Sequence, residues 1–393
     1  MESSASQAIP RRQNAFWNLG FRPFFLLAGM FSVASILAWV SQLSGLSGGY
    51  RYAASPLWHA HEMIFGYAFA VVAGFLLTAV RNWTNQPTPT GRPLILLALL
   101  WGLGRGLAAS PWFAYAPLSD AAFALAVAAA IARPLLQSGN RRNYFFIAVL
   151  CGFSAANLLF YLAARGLLTF MAPDQGIRTG LDLLLFLMTV LGGRVIPMFT
   201  ANGVPGSKSM RKTWIERSAL GSILALLLLD LLPWPLLSAI AAVAAALANL
   251  TRLALWQPWR TLRTPLVWIL HASYAWIVVY LLLQSLALTG LIPASPARHA
   301  LTVGAIGGLT LGMMTRVARG HTGRELRAGS AEVLAYLLVQ CAAGVRVFLP
   351  LLVPQAYFAA LLVSGCLWAA AFSAFVGHFF PILTQPRADG RPG

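Results

Sequence analysis

The stretch Pro56–Val80, PLWHAHEMIFGYAFAVVAGFLLTAV, decides the fold of this chain. It is almost uninterruptedly apolar after Glu62, and at about 1.5 Å per residue it is long enough as a helix to cross a hydrocarbon core of about 30 Å. Ser55 and Pro56 supply a cap and a first position for that helix, which puts His59, His61 and Glu62 in its first two turns. Ionisable side chains at that depth are expensive and seldom incidental, and histidine is the commonest metal ligand. Residues two apart on a helix point roughly 200° from each other, so one regular helix does not aim both histidines at one small metal. Either each serves a separate centre on its own face, or both chelate one metal from unwound backbone; the two-face arrangement is the expectation. Glu62, at the same depth, is the candidate catalytic group, placed to orient an imidazole or relay a proton.

The rest of the chain is built in the same way. It is 59% hydrophobic and 10% charged, against roughly 25% charged in soluble domains. Twelve apolar runs read as spans: 23–40, 56–80, 93–109, 117–136, 143–163, 179–198, 215–232, 235–256, 265–288, 297–318, 331–350 and 354–383. The expectation is an all-α polytopic membrane protein of about 12 transmembrane helices, with tight turns near Pro111 and Pro233. Residues 1–20 form an N-terminal segment, 21–385 a single transmembrane domain and 386–393 a tail. No connection is long enough to fold alone; the longest is Ala201–Trp214.

Charge sets the orientation. With these spans, 22 of the 28 Lys and Arg fall at the termini and the even-numbered connections. The other side holds Arg51, Arg165, Arg178, Arg298 and Arg346, while Arg105 lies near the end of the third span. The positive-inside rule then makes both termini cytoplasmic. The net charge of +18 reads as topology and contact with the anionic lipid bilayer; no nucleic-acid partner is expected. The first apolar run follows basic residues and has no small-residue cleavage site, so no cleavable signal peptide is expected. Cys151, Cys341 and Cys366 all fall inside spans and form no Cys-x-x-Cys pair, which predicts buried packing residues rather than disulfides or thiolate ligands.

Spans two and ten share a pattern. Aligning His61 with His299 also matches Gly66 with Gly304, Gly74 with Gly312, Arg81 with Arg319 and Thr84 with Thr322. Span six carries a looser echo in Gly192-Gly193-Arg194 before Thr200. Spans two, six and ten are four apart, the spacing of three tandem four-helix units.

Depth sorts the six histidines. His59, His61 and His299 lie near the outer face, and His271, His321 and His378 towards the cytoplasm. A haem between two helices needs axial imidazoles at similar depth, which His61 and His299 satisfy, with His59 facing a second centre. The inner three are the candidates for the other metal site. Each histidine also has a plainer role open to it, a hydrogen bond to a neighbouring helix. Arg22, Arg81, Arg194, Arg316 and Arg319 gather at the inner ends. Snorkelling and topology account for most arginines. Yet 26 of the 28 basic residues are Arg, whose planar fork suits bidentate carboxylate contact, so haem propionates or a quinone headgroup are candidate partners. Hydrolase triads are absent, and Gly102-Leu103-Gly104-Arg105-Gly106 lacks the strand-turn-helix context of a phosphate loop.

Five segments resemble the NnrS family of bacterial polytopic membrane proteins: Phe21–Gly29 (FRPFFLLAG), Trp58–Gly66 (WHAHEMIFG), Gly74–Trp83 (GFLLTAVRNW), Arg194–Gly203 (RVIPMFTANG) and Gly312–Arg324 (GMMTRVARGHTGR). They are scattered over most of the chain. The resemblance implies a haem- and copper-containing protein of the bacterial inner membrane, associated with nitric oxide metabolism and nitrosative-stress defence. Nitric oxide or another small diatomic would bind or be converted at a haem of unspecified type, with quinol or another donor supplying electrons.

A weaker likeness is to the catalytic subunit of haem-copper oxidases, whose twelve spans form three four-helix arcs with haem-ligand histidines near the outer ends of spans two and ten. Here the His-x-His falls on span two and the single His on span ten, the reverse of that fold. The adjacent His-His copper pair is missing and spans six and seven carry no histidine, which argues against oxygen reduction at an oxidase-type binuclear centre. Two other readings fit twelve spans: a secondary transporter of a small solute, and a quinol-linked haem electron carrier. The first needs polar equipment at mid-span, and Glu62 and Asp182 lie nearer the outer ends.

Overall fold

A computed structural model describes residues 15–46, 55–169, 172 and 174–391. Arg11, Arg12, Arg51 and most of the N-terminal segment lie outside the described residues. Among those described, the long elements are twelve helices and there is no strand. They are α1 Phe21–Leu43, α2 Pro56–Thr84, α3 Arg92–Ala108, α4 Ala116–Gln137, α5 Phe145–Ala164 and α6 Gln175–Gly203. The second half comprises α7 Thr213–Leu229, α8 Pro235–Leu255, α9 Pro265–Leu288, α10 Ala294–His321, α11 Ser330–Leu352 and α12 Tyr357–Thr384. Each coincides with one predicted span, and the chain is an all-α polytopic membrane protein. Ten are long and apolar enough to cross a membrane. The others, α3 and α7, have 17 residues each, or about 26 Å of helix, a shortfall that local bilayer thinning accommodates.

Prolines mark the starts. Pro56, Pro93, Pro117, Pro235 and Pro265 sit in the first turns of their helices, where the missing N–H has no partner to lose. The Ser55 side chain accepts the Trp58 backbone N–H at 3.1 Å and caps α2.

Each helix packs on its neighbours in sequence, and α12 closes the ring against α1. Helices α2, α6 and α10 turn inwards: α6 touches both of the others, and Tyr67 on α2 shares a 2.6 Å hydrogen bond with Thr310 on α10. Burial follows from this. The most apolar stretch of α2 is 83% buried, against 39% for α12 on the rim.

Helices α2 and α10 also share an irregularity. Immediately after His61, residues Glu62–Ala68 wind as π-helix, and immediately after His299, residues Ala300–Gly307 do the same. Such insertions are rare and cluster at functional sites. The packing repeats with them. A Cβ at Gly66 would meet Phe31 of α1, and one at Gly304 would meet Trp276 of α9. Gly74 lies under Phe24 and Phe25 of α1, and Gly312 under Ile269 and Leu270 of α9. The pair α1–α2 thus recurs as α9–α10. In between, α6 runs as unbroken α-helix. We refer to α1–α4, α5–α8 and α9–α12 as units one, two and three.

The cysteines depart from expectation. Cys151, Cys341 and Cys366 are exposed on the outward faces of α5, α11 and α12. A thiol behaves as a small hydrophobe, and hydrocarbon outside the bundle accepts it as readily as a packed core does, so span membership alone did not fix the face.

Close approach makes a testable contrast. A Cβ on Gly176 would land on the α5 backbone at Ala156 and Phe160, whereas one on Gly221 meets nothing within 4 Å. Gly176→Val is expected to destabilise the detergent-solubilised protein by about 1–3 kcal/mol or more, read as a lower unfolding temperature and loss of monodispersity. Gly221→Val should leave both unchanged.

Candidate functional site

The end of the bundle poor in arginine holds a polar cluster in each unit. In unit one the cluster is closed. His61 Nδ1 lies 2.9 Å from Glu62 Oε1, and its Nε2 lies 3.1 Å from Asn157 Oδ1 and 3.7 Å from Asp120 Oδ2. Arg105, from α3, donates to Glu62 Oε2 at 2.6 Å and to Asp120 Oδ1. The Tyr161 hydroxyl donates to Asp120 Oδ2 at 3.3 Å. His61, Glu62, Arg105 and Asp120 are all buried. With the imidazole protonated, the formal charges sum to zero. Both ring nitrogens are engaged within the cluster.

His59 points elsewhere, as the helical angle requires. Its ring stacks on Trp39 of α1 at 5.2 Å and 6°, and its buried Nδ1 has no hydrogen-bond partner among the described residues. His299 Nδ1 lies 2.7 Å from the Ser295 carbonyl. A carbonyl only accepts, so Nδ1 carries the proton and Nε2 keeps its lone pair. That is the tautomer a metal-ligating histidine adopts when its other nitrogen is held by the backbone. His61 itself faces α3, α4 and α5 inside its own unit.

Unit two carries Asp182 of α6, Asp230 after α7 and Ser238 of α8 around a cavity of about 20 Å³, with Tyr280 and Gln284.

The inner histidines do not converge. His271 Nε2 meets Thr200 Oγ1 at 2.8 Å beside Trp256. His321 lies against Phe21 at 5.5 Å between ring centres, and His378 Nε2 is 3.5 Å from Glu332 Oε1. Among the described residues no three His, Cys, Asp or Glu side chains are grouped to hold a metal. Each inner histidine has found a separate neighbouring helix.

The arginines divide as well. Arg319 is paired with Glu332, and Arg81 is exposed. Arg22 is buried and donates to the carbonyls of Leu383 and Gln385 at 2.9 and 2.7 Å, which ties the end of α12 to α1. Arg316 lies 3.7 Å over the Phe199 ring. Arg194 donates to Asn143 Oδ1 at 2.7 Å and faces a cavity of about 550 Å³ that is also lined by Asn82, Trp83, Arg142, Met313 and His321. That vestibule, at the arginine-rich end, shares Phe75, Leu191, Val195 and Met313 with a smaller cavity of about 90 Å³. The smaller one lies between α2, α6 and α10, and its walls include Val71, Leu187 and Ile306. Beside the vestibule, Arg387 of the tail donates to the His321 carbonyl at 3.0 Å. The same side chain hydrogen-bonds Asp389 and holds its carboxyl low, at about 2.

Arg105, Asp120 and Asn157 were not singled out from sequence. The available signal was one arginine and two carboxylates placed by the reading at one depth in spans two, three and four. Charges inside a membrane bundle usually pair.

The family model for the NnrS protein matches residues 15–387 of the chain. No curated protein matches it.

Removing one member of a buried ion group leaves the others uncompensated, at about 3–5 kcal/mol. Arg105→Leu is expected to lower the unfolding temperature by that measure, and Asp120→Asn in the same chain to restore part of it. An Arg105→Leu protein that melts with the wild type would show that the cluster contributes little.

Proposed function

The chain belongs to the NnrS family, and from that premise we propose that it is a haem- and copper-containing protein of the bacterial inner membrane that handles nitric oxide, with His59 and His299 holding the haem. One observation carries the assignment. His59 and His299 stand in the first turns of α2 and α10, the first with a buried Nδ1 unpartnered among the described residues and the second with its tautomer fixed by the Ser295 carbonyl. An imidazole nitrogen that keeps its lone pair is a donor that a haem iron would accept. When bound, the haem would supply an iron able to bind a diatomic ligand or pass one electron.

The chain's own residues do the positioning. Trp39 holds the His59 ring by stacking, and Ser295 holds His299 by its carbonyl and, more distantly, by its hydroxyl at 3.4 Å. Buried Trp58 on α2 adds an apolar neighbour to the same first turns. Copper finds less support. No third His, Cys or carboxylate joins the pair among the described residues, and the inner histidines stand apart.

The vestibule supports the electron-donor side of this reading. Its rim offers guanidinium, amide and imidazole groups, and the connected cavity is apolar, which matches a quinol with a polar ring and an apolar tail. The 22 basic residues on that side support a cytoplasmic vestibule and an outward-facing histidine pair.

The test is the oxidised and reduced absorption spectra of the purified protein, with pyridine haemochrome and copper analysis on the same sample. Sharp reduced bands that shift when nitric oxide is added are the expected result. A colourless, copper-free preparation from haem-replete cells would overturn the reading.

A further inference from the structure

The clusters of units one and three are built on the same plan, and the difference between them identifies a binding site. His61 and His299 end the first helical turns of α2 and α10, each just before a π segment. Arg105 and Arg346 come from α3 and α11, the helices that follow. Asp120 near the start of α4 and Tyr357 at the start of α12 each touch their unit's arginine.

The carboxylates are what changed. With His61 aligned on His299, Glu62 corresponds to Ala300, and where the Asp120 carboxylate meets Arg105 the Tyr357 hydroxyl meets Arg346. Arg346 is left with hydrogen bonds to two hydroxyls, Ser295 at 3.3 Å and Tyr357 at 3.2 Å. It forms no ion pair among the described residues, its Nη1 is buried without a partner, and the side chain is only 5% exposed. His59 Nδ1 is likewise buried and unpartnered.

A guanidinium buried in a membrane bundle without a counter-charge is costly. In unit one the same position is neutralised from within the chain. We propose that unit three takes its counter-charge from a ligand: a planar anion with two oxygens, of the carboxylate or nitrite type, received by Arg346 beside Ser295 and His299. The guanidinium fork matches two such oxygens. The anion is either a free small oxyanion or the carboxylate of a prosthetic group bound at the same histidine. The site itself does not depend on the haem reading, because Arg346 needs an anion in either case.

Thermal unfolding of cofactor-free, detergent-solubilised protein tests this, with formate, acetate or nitrite exchanged for chloride at constant ionic strength. A saturable rise of about 3 °C or more is expected at a large excess over Kd, and Arg346→Gln should remove it. Tyr357→Asp restores the carboxylate that unit one has. That variant should melt above the wild type without added anion and ignore the anions thereafter.

Cofactor-loaded protein separates the two sources. It should stop responding if the prosthetic group supplies the carboxylate, and keep responding if the anion is free. An identical rise in Arg346→Gln would overturn the proposal, as would a Tyr357→Asp protein less stable than wild type or the absence of any response in cofactor-free protein. None of these outcomes bears on whether haem is present, which the spectra decide separately.

Discussion

Arg105 bridging Glu62 and Asp120 is the interaction on which the interior of this bundle depends. A membrane span tolerates a carboxylate only when it is paired, and here one guanidinium pairs two carboxylates while Glu62 also holds His61. The network joins α2, α3, α4 and α5 at one level. Its position also follows from the π segment that begins at Glu62, since the wider winding shifts every later residue of α2 relative to the first turns. Gly66 then lies under Phe31 and against Arg105, and its carbonyl accepts the Trp101 indole N–H at 3.0 Å.

With His61 committed to unit one, the opposite face of the same helix is left to present His59. It does so towards α1, where Trp39 stacks on it. Closure sets the last helix of the third unit against the first helix of the chain, the helix whose Trp39 stacks on His59. Unit one balances its own charge and leaves its histidine engaged. Unit three has the arginine and the histidine without the carboxylates, and its polar atoms remain available. One plan thus yields a cluster balanced by its own carboxylates and a cluster that lacks them.

Most of the fold was legible in the sequence because hydrocarbon thickness imposes a length and a composition on every span. All twelve helices were found that way, including α3 and α7, which are short for a crossing helix. The divergence of His59 and His61 followed from the helical angle alone. Which face met which partner did not, because it depends on ring closure and on the π segments, and neither leaves a periodic signal in the residues. Depth did not fix which helix each inner histidine meets. His271, His321 and His378 share a level, yet they lie on α9, α10 and α12 against separate neighbours. The family's apolar and arginine-bearing strings fall largely on α1, α2, α6 and α10, the inner helices and the one that backs α2.

The central claim is that His59, not His61, shares a centre with His299. The most direct measurement is haem content per polypeptide in His59→Ala, His61→Ala and His299→Ala, each purified from haem-replete cells and checked for monodispersity. The account predicts that His59→Ala and His299→Ala lose the same haem and the same reduced band, while folded His61→Ala retains it at lower thermal stability. Retention of that haem in His59→Ala, with loss in both His61→Ala and His299→Ala, would contradict it.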